Sequence, residues 1–461
     1  MNTQLRIDSL TVSNYRCFES LTIDFHPNLT VLVARNGQGK TAILDAIKVA
    51  LGTFTNSFPY SAEASFSSLD AHFQPDNEPQ YPISVSAKGA RGEQSFHVIR
   101  ELEKAKGRTD SNKAGDLTTF GNTLFNQTKK DSSNADSINL PILAFYGTGR
   151  LWSGKKYTVK DDEFSPLADS RFLGYDSAFF PNTNYKFVKQ WLMEAIRFIE
   201  ETREDEVQNS VQYKNVKEQL SSVRNVLGIF LALEGLGGLH YNRFLKDLAI
   251  FRRIPYDANM PEDLTDAYSI ALPVSCLSDG VRAVFAMVAD IASRCAKLNR
   301  HLGKHAHEET NGIVMIDEVD LFLHPAWQQR IIGDLQRSFP NIQFILTTHS
   351  PQVISSVPRE SVRILDNGKV VDPSIATDGA RADQILKEIF GVDARYKGSS
   401  VSKALSEYQE LIKTNQWDSE QGKALYDIIR KALPTDPVLA ELDMQIFLKE
   451  YQRRHSDEKN K

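Results

Sequence analysis

Along the first thirty residues the apolar positions alternate and then close up. Leu5, Ile7, Leu10 and Val12 are followed by Leu21, Ile23 and Phe25, and then by the unbroken apolar run 29–33. Alternation predicts strands with one wet face, and an unbroken run predicts a strand covered on both. The segment reads as edge strands leading to a buried one. Residues 41–51 (TAILDAIKVAL) repeat at helical spacing and predict a helix packed on that sheet. Two polar stretches, 53–81 and 103–139, interrupt the sheet and are expected to be surface loops, the second of them mobile. Over 184–233 the pattern is helical. Phe187, Trp191, Ala195 and Phe198 form one stripe, and Val216, Leu220, Val223, Leu227 and Phe230 another, with EETREDE between them. Only about two heptads are sustained, so the reading is a short helical pair and not a long coiled coil. Sheet character returns at 243–276, 313–316, 342–347 and 361–365. Residues 380–455 are helical, broken at Asp436-Pro437, with a frayed tail after them. The class is α/β.

Composition narrows the setting. The 461 residues make about three domain-sized units or one large domain with insertions. Fifty-four basic against 59 acidic residues give a net charge of −5, which argues against a polyanion-coating protein and leaves a local basic groove open. Cys17, Cys276 and Cys295 are too scattered for a disulfide framework or a CxxC metal site. The first residues lack the apolar core of a signal peptide, and no run approaches 18 apolar residues. A cytoplasmic protein with no membrane segment is expected.

Four motifs carry chemistry. Ala34-Arg35-Asn36-Gly37-Gln38-Gly39-Lys40-Thr41 matches G-x-x-x-x-G-K-[ST] except at Ala34. In such a loop the backbone N–H groups of Asn36, Gly37, Gln38 and Gly39 curl round nucleotide phosphates. Lys40 brings a point charge to the β- and γ-phosphates, and the Thr41 hydroxyl ligates Mg²⁺. If position 34 requires a positive φ, the alanine adds strain of order 1 kcal/mol. Residues 313–318 (IVMIDE) describe a central strand delivering Asp317 and Glu318 to its C-terminal edge. There Asp317 would hold Mg²⁺ through water and Glu318 would act as general base. Thr347-Thr348-His349-Ser350-Pro351 follows a strand and puts His349 where it can reach a γ-phosphate, 32 residues after Asp317. Leu277-Ser278-Asp279-Gly280 opens a helix whose buried stripe runs from Val281 to Cys295. Ser278 reads equally as an N-cap, with Gly280 as turn chemistry, or as a phosphate ligand at a helix N-terminus.

In this order the motifs resemble the ABC-type ATPase heads. The long helical interval between P-loop and signature is similar to the SMC, RecF and OLD branch. Asn14-Tyr15-Arg16-Cys17-Phe18 resembles the N-x-R-x-F element opening those heads, and residues 146–152 (YGTGRLW) occupy the Q-loop place without its glutamine. LSDGVR, IDEVDLFLHPAWQQ, TTHSPQVI and DQILKEIFGVDAR together resemble the ATPases of Septu anti-phage modules, also found beside retrons, over about residues 5–450.

The resemblance implies an ABC-type P-loop head with a mixed sheet, a helical insertion and a C-terminal helical region. The first part of the head would span 1–180, the insertion 181–242, the second part 243–375 and the C-terminal region 376–461. It implies ATP and Mg²⁺, hydrolysis, and a partner HNH nuclease encoded alongside. It also implies a homo-oligomer in which heads sandwich ATP between Lys40 and Thr41 of one chain and Ser278 and Gly280 of another. Nucleic acid would be met through the complex. The chain itself shows no HNH or metal-nuclease constellation, and His301, His305 and His307 read as solvated residues of a polar linker. A DNA-clamping repair ATPase of the RecF or SMC type is the alternative, which a basic composition, zinc hook or long coiled coil would favour. A transporter ATPase fits less well, because the Q-loop glutamine is missing.

Overall fold

The computed structural model describes residues 4–61, 64–110, 112–129, 137–149, 170–179, 185–202, 205–253 and 269–459. The chain divides into two compact units, Met1–Ile385 and Leu386–Lys461.

The first unit is built on a six-stranded sheet. Its spatial order is Lys369–Val371, Val362–Asp366, Leu29–Ala34, Ile342–Thr348, Gly312–Ile316, Ile142–Tyr146. Five strands are parallel, and Lys369–Val371 closes one edge antiparallel. Every residue of 29–34, 142–146, 312–316 and 342–348 is buried. That burial is why these strands read as continuous apolar runs. Their parallel alignment brings the ends of 29–34, 312–316 and 342–348 to one edge, where open α/β sheets place ligands.

The alternating N-terminal segments do not lead into this sheet as edge strands. Leu5–Tyr15 lies inside a separate antiparallel sheet, ordered Phe18–Asp24, Leu5–Tyr15, Ile83–Arg91, Gln94–Leu102. Alternation reports one covered face, and an interior strand of a half-solvated antiparallel sheet has that face as surely as an edge does.

The stretch 103–139 is not all loop: Gly115–Lys129 is a helix. Its anchors are sparse, but Phe120 and Phe125 pack on Phe54 and Phe58 of the neighbouring segment, with ring centroids 5.7 and 6.1 Å apart. The helical pair is present as Tyr185–Glu201 and Val211–Leu231, and all five stripe residues of the second helix are buried. A three-stranded antiparallel sheet follows, made of Leu236–Asn242, Asp247–Arg253 and Ser269–Pro273. The helix Asp279–Leu298 then packs its apolar stripe inward, with Val284, Phe285, Val288, Ile291 and Cys295 buried.

Residues 376–385 pack with the first unit. Thr377 is buried and its hydroxyl donates to the Val357 carbonyl at 2.6 Å. The second unit comprises the helices Ser400–Lys413, Glu420–Ala432 and Pro437–Lys459. Leu405, Tyr408, Ile412, Trp417, Ile429 and Leu442 form its core. The last helix runs to Lys459 and leaves Met444, Phe447, Leu448 and Tyr451 exposed. Among the described residues no helix is long and apolar enough to cross a membrane.

Candidate functional site

The strand Leu29–Ala34 ends where the phosphate-type loop begins, and the helix Lys40–Thr55 starts where it finishes. Ala34 is the last residue of extended strand and is absent from the residues with positive φ, so the alanine at this position is unstrained. Gly39 caps the helix at φ 90° and Gly37 lies at φ 80°. These left-handed conformations are open to glycine, and they turn the loop's N–H groups inward at the positive end of the helix. Gly39 is constrained a second time. A β-carbon there would stand 2.6 Å from Cys17 Sγ, 2.7 Å from Phe18 Cε2 and closer still to Phe18 Cζ. The turn at 16–17, which joins the first two strands, therefore forms the floor of the loop. Asn36 and Gly37 are exposed, while Gln38 Oε1 accepts a bond from the Asn367 N–H at 3.0 Å.

Lys40 is buried, and its ammonium donates to the Ala34 carbonyl at 3.0 Å. Burial lowers its pKa, and the nearby charges of Asp317, Glu318 and Asp320 oppose the shift. Thr41 Oγ1 donates to Asp317 Oδ2 at 2.9 Å, so the residues expected to serve Mg²⁺ meet across the sheet edge, 276 positions apart in sequence. Asp317 is buried, and Glu318 holds a left-handed backbone at φ 48°. An L-residue there stores strain of order 1 kcal/mol, of a kind that collects at functional sites.

His349 follows the strand Ile342–Thr348 and is half-buried. Desolvation, and then the charge of Lys40, push its pKa below 6.5, so the ring is neutral at pH 7. Its pKa thus registers Lys40 and the three acids together. Ser350 caps the next turn by accepting from Gln352 N and Val353 N, and its hydroxyl donates to Gln328 Oε1 at 2.7 Å.

Ser278 is exposed and N-caps the helix Asp279–Leu298 by accepting from Val281 N at 3.5 Å. Gly280 has a structural reason of its own. A β-carbon would sit 3.2 Å from the Phe322 carbonyl carbon and closer still to its oxygen. The helix start therefore rests on the loop that follows Glu318. The reading of 146–152 is described only as far as Gly149; residues 150–152 lie outside the described residues.

Sequence reasoning passed over a buried polar network behind the site. Tyr146 ends the edge strand; its carbonyl accepts from Asp317 N at 2.8 Å and its hydroxyl donates to Asp290 Oδ2 at 2.8 Å. Arg294 Nε donates to the same carboxylate oxygen at 2.8 Å, and its Nη1 donates to the carbonyls of Gly174 and Asp176. Lys297 lies over the Trp191 ring, and desolvation pushes its pKa down to about 8. Charges at 290, 294 and 297 on a helix otherwise lined with apolar residues were the available signal. Arg16 was noticed only by resemblance. It pairs with Asp70 at 2.8 Å and Asp45 at 2.6 Å, tying the floor turn to the P-loop helix.

His307 corrects an expectation. It is buried against the helix Val211–Leu231, Nδ1 to Ser222 Oγ at 3.0 Å, and desolvation lowers its pKa; His301 and His305 are exposed as expected. Among the described residues no group of three or more His, Cys, Asp and Glu side chains is arranged to hold a metal. That is compatible with Mg²⁺ on a nucleotide, which takes only one or two protein ligands.

Residues 9–227 match the AAA domain family. The probable ATPase of retron Ec83 from Escherichia coli is 29% identical over 96% of this chain and 87% of its own length. The Septu protein PtuA of Bacillus mycoides (strain KBAB4) is 32% identical over 33% of this chain and 19% of its own. Among solved structures, an SMC head bound to the C-winged helix domain of ScpA aligns with a TM-score of 0.48 at 16% identity, covering 80% of this chain and 98% of that one. A P-loop helix meets an acidic pair at a parallel sheet's edge, in a chain that resembles the probable ATPase of retron Ec83 along most of its length and the Septu protein PtuA over about a third of it.

Proposed function

We propose that the chain is the ATP-binding and ATP-hydrolysing regulatory subunit of a prokaryotic anti-phage defence complex, and that its nucleotide state controls a partner HNH nuclease. The likeness to a retron ATPase along nearly the whole chain supports the setting. The observation that carries the chemistry is the Thr41–Asp317 hydrogen bond, which joins the P-loop helix to the acidic pair.

In this reading the N–H groups of 36–39 bind the phosphates, and Lys40 exchanges its bond to the Ala34 carbonyl for phosphate oxygens. Hydroxyl and carboxylate oxygens are hard donors, so Thr41 and Asp317 suit Mg²⁺. When bound, Mg²⁺ would neutralise phosphate charge. Glu318 accepts the proton of the attacking water, and neutral His349 offers a ring N–H to the γ-phosphate. Ser278, exposed at a helix N-terminus, closes the site from a second copy of the chain. Gly280 then acts by letting that helix start sit against Phe322.

The exposed stripe Met444, Phe447, Leu448 and Tyr451, at i, i+3, i+4 and i+7 on the last helix, supports docking of the nuclease there. Leu405 and Ile412, by contrast, are buried in the second unit's own core.

The test uses the chain together with the HNH protein encoded beside it. Nuclease activity is measured with ATP, with ADP and without nucleotide, for wild type and Lys40→Ala. A response to nucleotide that Lys40→Ala loses supports the proposal. A nuclease indifferent to nucleotide and to the substitution sinks it, as does the lack of any HNH neighbour.

A further inference from the structure

We infer that Thr347 is the positioning residue of the hydrolytic site, holding Asp317 and Glu318 in the geometry turnover requires. The inference rests on the roles proposed above for those two acids.

Three consecutive residues converge on this one threonine. The parallel register pairs Ile316 with Leu346, which sets position 317 beside 347. Thr347 Oγ1 donates to Asp317 Oδ1 at 2.6 Å. The same oxygen accepts from the Glu318 N–H at 2.7 Å. The Thr347 carbonyl accepts from the Val319 N–H at 2.9 Å. The turn that carries both acids is thus wrapped around a single, fully buried residue of the strand leading to His349.

The chemistry of a hydroxyl explains why this residue type is needed. It gives one hydrogen and accepts another, so a single atom orients a carboxylate and a backbone N–H together. Asp317 then has one oxygen held by Thr347 and the other by Thr41 at 2.9 Å, which fixes the plane of its carboxylate. The bond to Glu318 N holds that residue at φ 48°, a conformation it would otherwise leave for a more relaxed one. Such strain persists where surrounding contacts over-determine it, and this hydrogen bond is one of those contacts. Releasing it lets the Glu318 carboxylate drift, and displacement of a catalytic group by about 1 Å lowers a rate by about a hundredfold. Asp317 keeps its bond to Thr41 when Thr347 is altered, so nucleotide binding should suffer less than turnover.

The experiment compares Thr347→Val, which keeps the shape and removes the hydroxyl, with Thr347→Ser, which keeps the hydroxyl. ATP hydrolysis, nucleotide affinity and thermal unfolding are measured on each, with Glu318→Gln alongside. Thr347→Val should lower kcat tenfold or more while changing nucleotide Kd by less than about threefold, and Thr347→Ser should stay within about threefold of wild type in both. A merely structural role would move the unfolding temperature and leave kcat per folded molecule and the Ser rescue untouched. Wild-type kcat in Thr347→Val, or a Thr347→Ser as slow as Thr347→Val, overturns the inference. Unimpaired hydrolysis by Glu318→Gln would instead overturn the choice of base, and the Val–Ser comparison would still decide whether Thr347 positions the turn. The two failures are therefore distinguishable.

Discussion

Replacing Gly39 by alanine puts a methyl group where the structure leaves it two objections. The backbone sits at φ 90°, which a β-carbon disfavours by about 1 kcal/mol. The added carbon would also lie 2.6 Å from Cys17 Sγ, 2.7 Å from Phe18 Cε2 and closer still to Phe18 Cζ, well inside normal contact, and overpacking of that kind costs about 1–3 kcal/mol. The exposed Cys17 thiol can turn aside, but the Phe18 ring is buried, and the turn before it is held by Arg16 on Asp45 and Asp70. The loop must therefore lift, and the sum of about 2–4 kcal/mol should appear as an ATP affinity weakened about 30- to 1,000-fold. Gly37→Ala separates the two effects. It lies at φ 80° with nothing within 4 Å of the added carbon, so only strain remains and the loss should be about fivefold. Calorimetric titration of ATP into both variants, after thermal unfolding shows them folded, supplies the comparison. Equal losses in the two would void the packing contribution, and wild-type affinity in Gly39→Ala would refute the phosphate-cradle geometry itself.

Lys40→Ala should lose tight ATP binding, because it removes a buried cation held among Asp317, Glu318 and Asp320, whereas Glu318→Gln should bind ATP and fail to release phosphate. Lys40→Ala and Ser278→Arg chains, each inactive alone, should regain about one working site per heterodimer when mixed. Mixtures that stay inactive despite shown subunit exchange would argue against a shared site, unless a titration of wild type with mutant shows that the two sites need each other. Lys297 titrates at about 8 in the fold against an ordinary 10.5, so between those values the unfolded chain binds the proton that the folded chain has released. Stability from this group is therefore complete above about pH 10.5 and is lost as pH falls through 8; wild type should gain about 2 kcal/mol on Lys297→Met between pH 8 and 10 in urea unfolding, and no relative gain would mean a hydrated ammonium. Phe447→Asp with Leu448→Asp should leave ATPase activity unchanged and abolish nuclease binding in a pull-down; retained binding would move the docking surface elsewhere.

The central sheet was legible because its burial is symmetrical. Strands such as 312–316 and 342–348 are covered on both faces and so announce themselves as unbroken apolar runs. The N-terminal strands were recognised as strands but placed wrongly. Alternation encodes how many faces are wet, and Leu5–Tyr15 has one wet face while lying between two neighbours. The helix Gly115–Lys129 was missed for a related reason. Its buried face is Leu117, Gly121 and Leu124, flanked by Phe120 on Phe54 and Phe125 on Phe58, and these few positions are diluted by the Thr, Asn, Gln and Lys residues around them.

The site divides along the same physical line. Residues whose chemistry demands a local pattern were visible: a loop needs its glycines and lysine in a fixed spacing, and a strand-end acid pair needs the strand before it. The supporting residues are joined through space, so spacing cannot reveal them. Thr347 stands two positions before His349 in sequence, yet the atoms it bonds belong to Asp317, Glu318 and Val319, about thirty residues earlier. Phe18 and Cys17 decide what position 39 tolerates without any periodic relation to it. Gly280 shows the opposite hazard. It was legible as part of a phosphate-binding signature, and the structure gives it a steric reason in its own chain, the carbonyl of Phe322. The two reasons are compatible, because a helix start seated on the loop after Glu318 moves with that loop. In the proposed dimer, the surface offering Ser278 to a second copy is thereby coupled to the turn that carries the acids. Since that turn is also wrapped around Thr347, on the strand leading to His349, one short segment links the residues proposed for phosphate contact and proton acceptance to the start of the signature-like helix.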